Sequence, residues 1–95
     1  MTSKQRAYLK SLANTLPCIF QIGKQGLTDV LINELDNALE ARELIKLHIL
    51  ETAPEDIRTI ANTISENTNS EVVQILGAKI TLFRKRKEKS KIELP

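Results

Sequence analysis

Residues 18–42 read CIFQIGKQGLTDVLINELDNALEAR, and the chain changes its period within them. Cys18–Ile22 is a short apolar run with β-branched and aromatic members, the composition of a strand. Gly23-Lys24-Gln25-Gly26 breaks that run. Thr28 is a good N-cap, and from Asp29 to Arg42 the residues Val30, Leu31, Leu35, Ala38 and Leu39 recur at helical intervals. A strand that passes through a short glycine loop into an amphipathic helix is half of a β-α-β unit. The segment therefore predicts an α/β fold.

The flanks continue the alternation. Upstream, Tyr8, Leu9, Leu12, Ala13 and Leu16 predict a helix over 3–16, with Ser3 as N-cap and Pro17 as its stop. Lys4, Arg6 and Lys10 fall on its exposed side. Downstream, Leu44–Leu50 is a strand in which Ile45, Leu47 and Ile49 alternate with Lys46 and His48, one face covered and one wet. Pro54 suits the first turn of a third helix carrying Ile57, Ile60, Ala61 and Ile64, which Asn67-Thr-Asn-Ser closes. Val72–Leu76 and Lys79–Arg84 flank Gly77-Ala78, a connection that suits a tight hairpin. Lys85–Pro95 is polar, with isolated Ile92 and Leu94, and is expected to fray. Strands joined through helices run parallel and the terminal hairpin runs antiparallel. The expectation is one compact α/β domain, order α-β-α-β-α-β-β, with a four-stranded mixed sheet packed with helices.

Composition narrows the chemistry. The chain has 95 residues, 41% apolar and 27% charged, the balance of a single globular domain. No run approaches the length of a membrane span, and Met1–Arg6 leads into an amphipathic segment instead of an apolar signal core. A single cysteine makes no internal disulfide, which suits a reducing, cytoplasmic setting. One His and one Cys do not make up a zinc site from the usual N and S ligands, and Cys18 in its apolar run reads as a small buried hydrophobe. His48 reads as a surface histidine, and Glu34, Asp36 and Glu40 as a solvated helix face. No catalytic residue, metal or cofactor is expected.

Charge is unevenly placed. Residues 1–27 hold four cations and no acid, residues 28–78 ten acids against three cations, and residues 79–95 seven cations against two acids. A nearly neutral protein, net +2, thus has two basic ends and an acidic middle. If the fold brings the ends together, they form one basic face, the footprint of a polyanion binder. A solvated charged tail is the alternative for the last residues.

The Gly23–Gly26 loop admits two readings. Two glycines allow positive φ and close approach of a partner backbone, the following helix N-terminus favours an anion, and Lys24 adds a point charge. A GXXG loop clamps a nucleic-acid backbone in KH domains by related means. Glycines also simply make turns, and Asp29 competes for the same helix dipole. The loop is neither a Walker A motif nor a dinucleotide fingerprint.

With these residues in place, the chain resembles the CRM (chloroplast RNA splicing and ribosome maturation) domain family in its stand-alone, YhbY-type form. The resemblance rests on Leu9-Lys-Ser-Leu-Ala13, Ile22-Gly-Lys-Gln-Gly-Leu-Thr28, Ala38-Leu-Glu-Ala-Arg-Glu-Leu-Ile-Lys46, and Val73-Gln-Ile-Leu-Gly77 with Ile80-Thr-Leu-Phe-Arg84, across residues 3–86. Arg42 stands where the family often has His, and Phe83 where it has Tyr. The resemblance implies a fold similar to the C-terminal domain of translation initiation factor 3. It implies an RNA-binding protein that associates with ribosomal RNA in large-subunit precursors and assists ribosome assembly, with the Gly-Lys-X-Gly loop in RNA contact. Residues 1–86 would be the RNA-binding domain and 87–95 a polar tail, in a monomer with no membrane partner. The expected contacts are Gly23, Lys24, Gln25 and Gly26, surrounded by Lys4, Arg6, Lys10, Arg84, Lys85 and Arg86. With Tyr8, Phe20 and Phe83 as the only aromatics, backbone and shape would dominate over base stacking. The competing reading is a protein-interaction adaptor that docks through the acidic middle.

Overall fold

Thr2 caps the first helix. Its hydroxyl accepts from the Gln5 N–H at 3.1 Å while the Gln5 side chain accepts from the Thr2 N–H at 3.0 Å, a reciprocal box that replaces the expected Ser3 cap. The computed structural model describes residues 1–95, which form α1 (Ser3–Ala13), β1 (Phe20–Ile22), α2 (Asp29–Arg42), β2 (Leu44–Ile49), α3 (Ile57–Thr68), β3 (Glu71–Leu76) and β4 (Lys79–Phe83). The predicted order holds. The four strands make one sheet in the order β1-β2-β4-β3, with β1 parallel to β2 and β4 antiparallel to both of its neighbours. β3 therefore runs in the direction of β2, with β4 laid between them, so the helical crossover is parallel as expected.

Each strand divides its side chains between two layers. Ile22, Ile45, Leu47, Ile49, Ile80 and Leu82 face α2 and α3, meeting Leu35, Leu39, Ile60, Ala61 and Ile64 in the larger core. Leu44, Val73 and Phe83 face the other way, against Leu9 and Ala13 of α1. In β3 both Val72 and Ile75 pack on the larger core, which leaves two residues between them for the α1 side. The ladder shifts register at this point, between Val72 and Gln74. It is a β-bulge.

Several boundaries differ from the sequence reading. α1 stops at Ala13, well before Pro17, because Lys46 Nζ donates to the Ala13 carbonyl at 3.2 Å and the Leu16 N–H to the same carbonyl at 3.0 Å. Pro54 lies outside α3. Asp56 caps that helix instead, its carboxylate accepting from the Thr59 N–H at 3.0 Å and the Thr59 hydroxyl at 2.9 Å. α2 begins and ends where predicted, with Thr28 Oγ1 accepting from the Leu31 N–H at 3.1 Å.

The C-terminal segment is docked, not frayed. Glu43, fully buried at the end of α2, turns its carboxylate onto this segment. It accepts from Ser90 Oγ at 2.6 Å and from the N–H groups of Lys91, Ile92 and Arg86. Ile92 and Leu94 then pack on the α1-side core. The Cα radius of gyration is 12.7 Å, close to the roughly 12 Å of a compact chain of this length, so the tail adds no extended arm. Glu43 itself has φ +67°, a conformation an L residue holds only when its surroundings impose it. Its N–H donates to Leu39 at 2.8 Å and its carbonyl accepts from Arg84 at 2.9 Å, which supplies that constraint.

Candidate nucleic-acid interface

The glycine loop is a turn held against its own chain. The Gly26 N–H donates to the Gly23 carbonyl at 2.9 Å, and Gly26 has φ +64°. A Cβ at Gly26 would stand 2.9 Å from Pro54 Cγ, and one at Gly23 would stand 3.2 Å from Leu50 Cδ1 and 3.3 Å from Thr52 Oγ1. Both glycines thus let the loop seat closely on the connection between β2 and α3, and Pro54 serves there, not in the helix. Lys24 and Gln25 at the turn's tip are exposed. The backing fixes the loop, and the charge points out.

Below the loop, the sheet presents an open surface. Cross-strand register places Gln21, His48, Lys79 and Leu76 in one row over all four strands, on the side that faces α1. The next row holds Lys46, Thr81 and Gln74. Neither row contains a carboxylate. α1 covers the far end of this face, where Leu44 and Phe83 lie, and its end reaches the second row, where Thr81 is buried and Lys46 bonds the Ala13 carbonyl, so the row nearest the loop is the accessible one. Sequence reasoning saw Lys46 and His48 on the wet side of a strand. Their alignment with Lys79 and Gln21 depends on a strand order that only the fold reveals.

The expected basic field divides. Lys4 and Lys85 are exposed and Lys10 is half-buried. Arg6 leaves the exposed side expected for it: its guanidinium donates to the Val72 and Val73 carbonyls at 2.6 and 3.0 Å, bracing the bulge in β3. Arg84 is likewise internal. It donates to the Asp36 carboxylate, to the Asp36 carbonyl at 2.9 Å and to the Thr68 carbonyl at 2.8 Å, with Glu40 at 3.6 Å. Asp36 and Glu40, expected to be solvated, spend part of the acidic middle on this arginine. Arg86 is half-buried, its backbone N–H on Glu43.

Two residues that fit the apolar helical period lie outward. Val30 is 68% exposed and Tyr8 38%. Phe83 is buried in the α1-side core and Phe20 packs half-buried against the larger one, while Cys18 is half-buried, not the fully buried hydrophobe its apolar run suggests. Glu43 is the residue that sequence reasoning passed over. Burial pushes its carboxyl pKa up, but the hydrogen bonds from Ser90, Lys91, Arg86 and Ile92 outweigh burial and bring it below the ordinary carboxylate range. No group of His, Cys, Asp and Glu side chains is arranged to hold a metal ion, and no helix is long and apolar enough to cross a membrane.

Comparison with known proteins gives a consistent result. The family described as the CRS1 / YhbY (CRM) domain matches residues 1–84. A Bacillus subtilis protein named as a probable RNA-binding protein, YqeI, is 42% identical over 95 residues, covering 100% of this chain and 99% of the relative. A Haemophilus influenzae protein named as RNA-binding is 36% identical over 95 residues, 100% of this chain and 95% of the relative. The solution structure of SAV1595 from Staphylococcus aureus superimposes with a TM-score of 0.83 at 47% identity, covering 100% of this chain and 99% of that one.

Proposed function

Because the chain belongs to the CRS1/YhbY (CRM) domain family, we propose that it is a non-catalytic RNA-binding protein that engages the phosphate backbone of ribosomal RNA in large-subunit precursors and assists their assembly. The observation that carries this reading is the Gly23–Gly26 turn, fixed on Leu50, Thr52 and Pro54 with Lys24 projecting from it. A rigid turn at the start of a helix offers an anion both a mobile ammonium and unpaired backbone N–H groups, without an ordering cost on binding. The carboxylate-free row with His48 and Lys79 extends the attractive surface, and Lys4, Lys10 and Lys85 add to the field. The names of the relatives support RNA as the partner.

Since Arg6 and Arg84 are engaged within the fold, about three to four phosphates are neutralised. The slope of log K against log salt for single-stranded RNA is then roughly −2 to −3. Lys24→Glu tests the loop. Lys24 supports no packing, so the melting temperature should hold while RNA affinity and co-sedimentation with large-subunit precursors fall together, by about tenfold. A folded Lys24→Glu protein that co-sediments like the wild type would overturn the proposal for the loop.

A further inference from the structure

A cleft of about 350 Å³ opens between the glycine loop and the first turns of α2, lined among others by Gln21, Gly23, Lys24, Val30, Leu31 and Glu34. Its size is at the lower end of the range for small-ligand sites, roughly 300–1,000 Å³, enough for a nucleobase. Its wall is unusual for a phosphate-binding loop. Val30 is 68% exposed, an apolar side chain left at the rim with no internal partner for most of its surface. Glu34 lies one turn further on, on the same face of α2, and helical side chains lean toward the N-terminus, so its carboxylate is carried back toward the loop. Glu34 forms no ion pair, in contrast to Asp36 and Glu40 on the neighbouring face.

A carboxylate beside a phosphate site weakens backbone binding unless it receives something from the ligand. We propose that this cleft takes a single unstacked guanine, its ring against Val30 and Leu31 and its Watson–Crick edge on Glu34, while the adjoining phosphate lies at Lys24. The inference rests on the RNA-binding reading above. The choice of base follows from donor geometry. An ionised carboxylate only accepts, through two parallel oxygens. Guanine presents two adjacent donors, N1–H and the N2 amino group, whereas adenine and cytosine set their amino group beside a ring acceptor and uracil flanks its one N–H with two carbonyls. Only guanine satisfies both oxygens without placing a lone pair against them. The protein then reads one position of sequence without an aromatic platform, on an otherwise backbone-led interface.

The test is fluorescence anisotropy of the full chain with labelled seven-nucleotide RNAs, oligo-uridine throughout or with guanosine, adenosine, cytidine or inosine at the centre. The guanosine oligomer should bind about tenfold more tightly than the others, within the range for one bidentate base contact. Inosine, which lacks the N2 amino group, should lose most of that gain. Glu34→Gln, an exposed and nearly isosteric change, should bind all five within about threefold. Val30→Ser should lower guanosine binding while sparing oligo-uridine. Equal binding of all five by the wild type, or a guanosine preference that survives Glu34→Gln, overturns the base site alone and leaves backbone binding intact. Failure to bind any of the five overturns both readings.

Discussion

Glu43→Gln is the substitution most informative about how the C-terminal segment is held. Four donors converge on the two carboxylate oxygens, Lys91 and Ile92 N–H on one and Arg86 N–H and Ser90 Oγ on the other. Hydrogen bonds to a charged group are worth about 1.5–3 kcal/mol and neutral ones about 0.5–1.5. The glutamine keeps one acceptor for one pair of donors and turns an NH₂ toward the other pair. The easier burial of a neutral amide offsets part of this, leaving a net loss of about 2–3 kcal/mol. In a domain of this size that lowers Tm by roughly 10–20 °C. Once the segment detaches, the loss cannot grow, so its docking free energy sets the ceiling. Chemical denaturation of Glu43→Gln in the full chain and in a chain ending at Arg86 isolates this coupling. In the shortened chain the carboxylate has lost Ser90, Lys91 and Ile92, so the substitution should be neutral or stabilising there. Equal costs in both backgrounds would refute the argument. The pH dependence has a definite sign. The folded pKa lies below the unfolded one, so the contribution is complete above the ordinary carboxylate value of about 4.3 and is lost as pH falls through the lower folded value. Amide exchange at Lys91 and Ile92 should show protection disappearing in that acidic window.

Gly26→Ala combines an unfavourable positive φ with a Cβ 2.9 Å from Pro54, and should cost about 1–3 kcal/mol in urea denaturation. Pairing it with Pro54→Ala should recover part of that loss, whereas full additivity would contradict the seating of the loop on Pro54. Arg6→Met strands two carbonyls at the bulge and should destabilise by about 1–3 kcal/mol, with the RNA salt slope unchanged; a shallower slope would show Arg6 to be a phosphate contact after all. Arg84→Lys keeps the charge but not the fork that spans Asp36 and Thr68, so thermal stability should fall while RNA affinity stays within about twofold.

What the sequence disclosed was local, and what it concealed was carried by distant partners. α2 is legible to the residue because Thr28 caps it and its apolar period runs unbroken. The pattern starts α3 too early because proline tolerance in a first turn competes with Asp56, whose two-oxygen grip on Thr59 is the stronger start signal. The end of α1 depends on Lys46, far along the chain, and no local pattern announces it. Helical spacing alone does not separate a rim residue such as Val30 from a core residue such as Leu35, since both fit the template. The sign of the charge at Arg6 and Arg84 was legible. Their targets, at Val72 and Asp36, were not, because those contacts exist only once the sheet has formed. Glu43 gave no signal beyond the absence of a glycine at a helix end that needs positive φ.

The bulge in β3 also bears on how the sheet meets other chains. A sheet of four strands has two free rims, each a ladder of unsatisfied peptide groups on which a stray strand can grow. Here β1 offers a rim only three residues long, Phe20–Ile22. On the opposite rim β3 is kinked where its register slips, and Arg6 already occupies the Val72 and Val73 carbonyls. An incoming strand would find too few contacts on one side and an interrupted, partly occupied track on the other. The same arginine that looked like an RNA ligand thus helps guard the protein against self-templated aggregation, a safeguard of particular value to a small protein with a modest core.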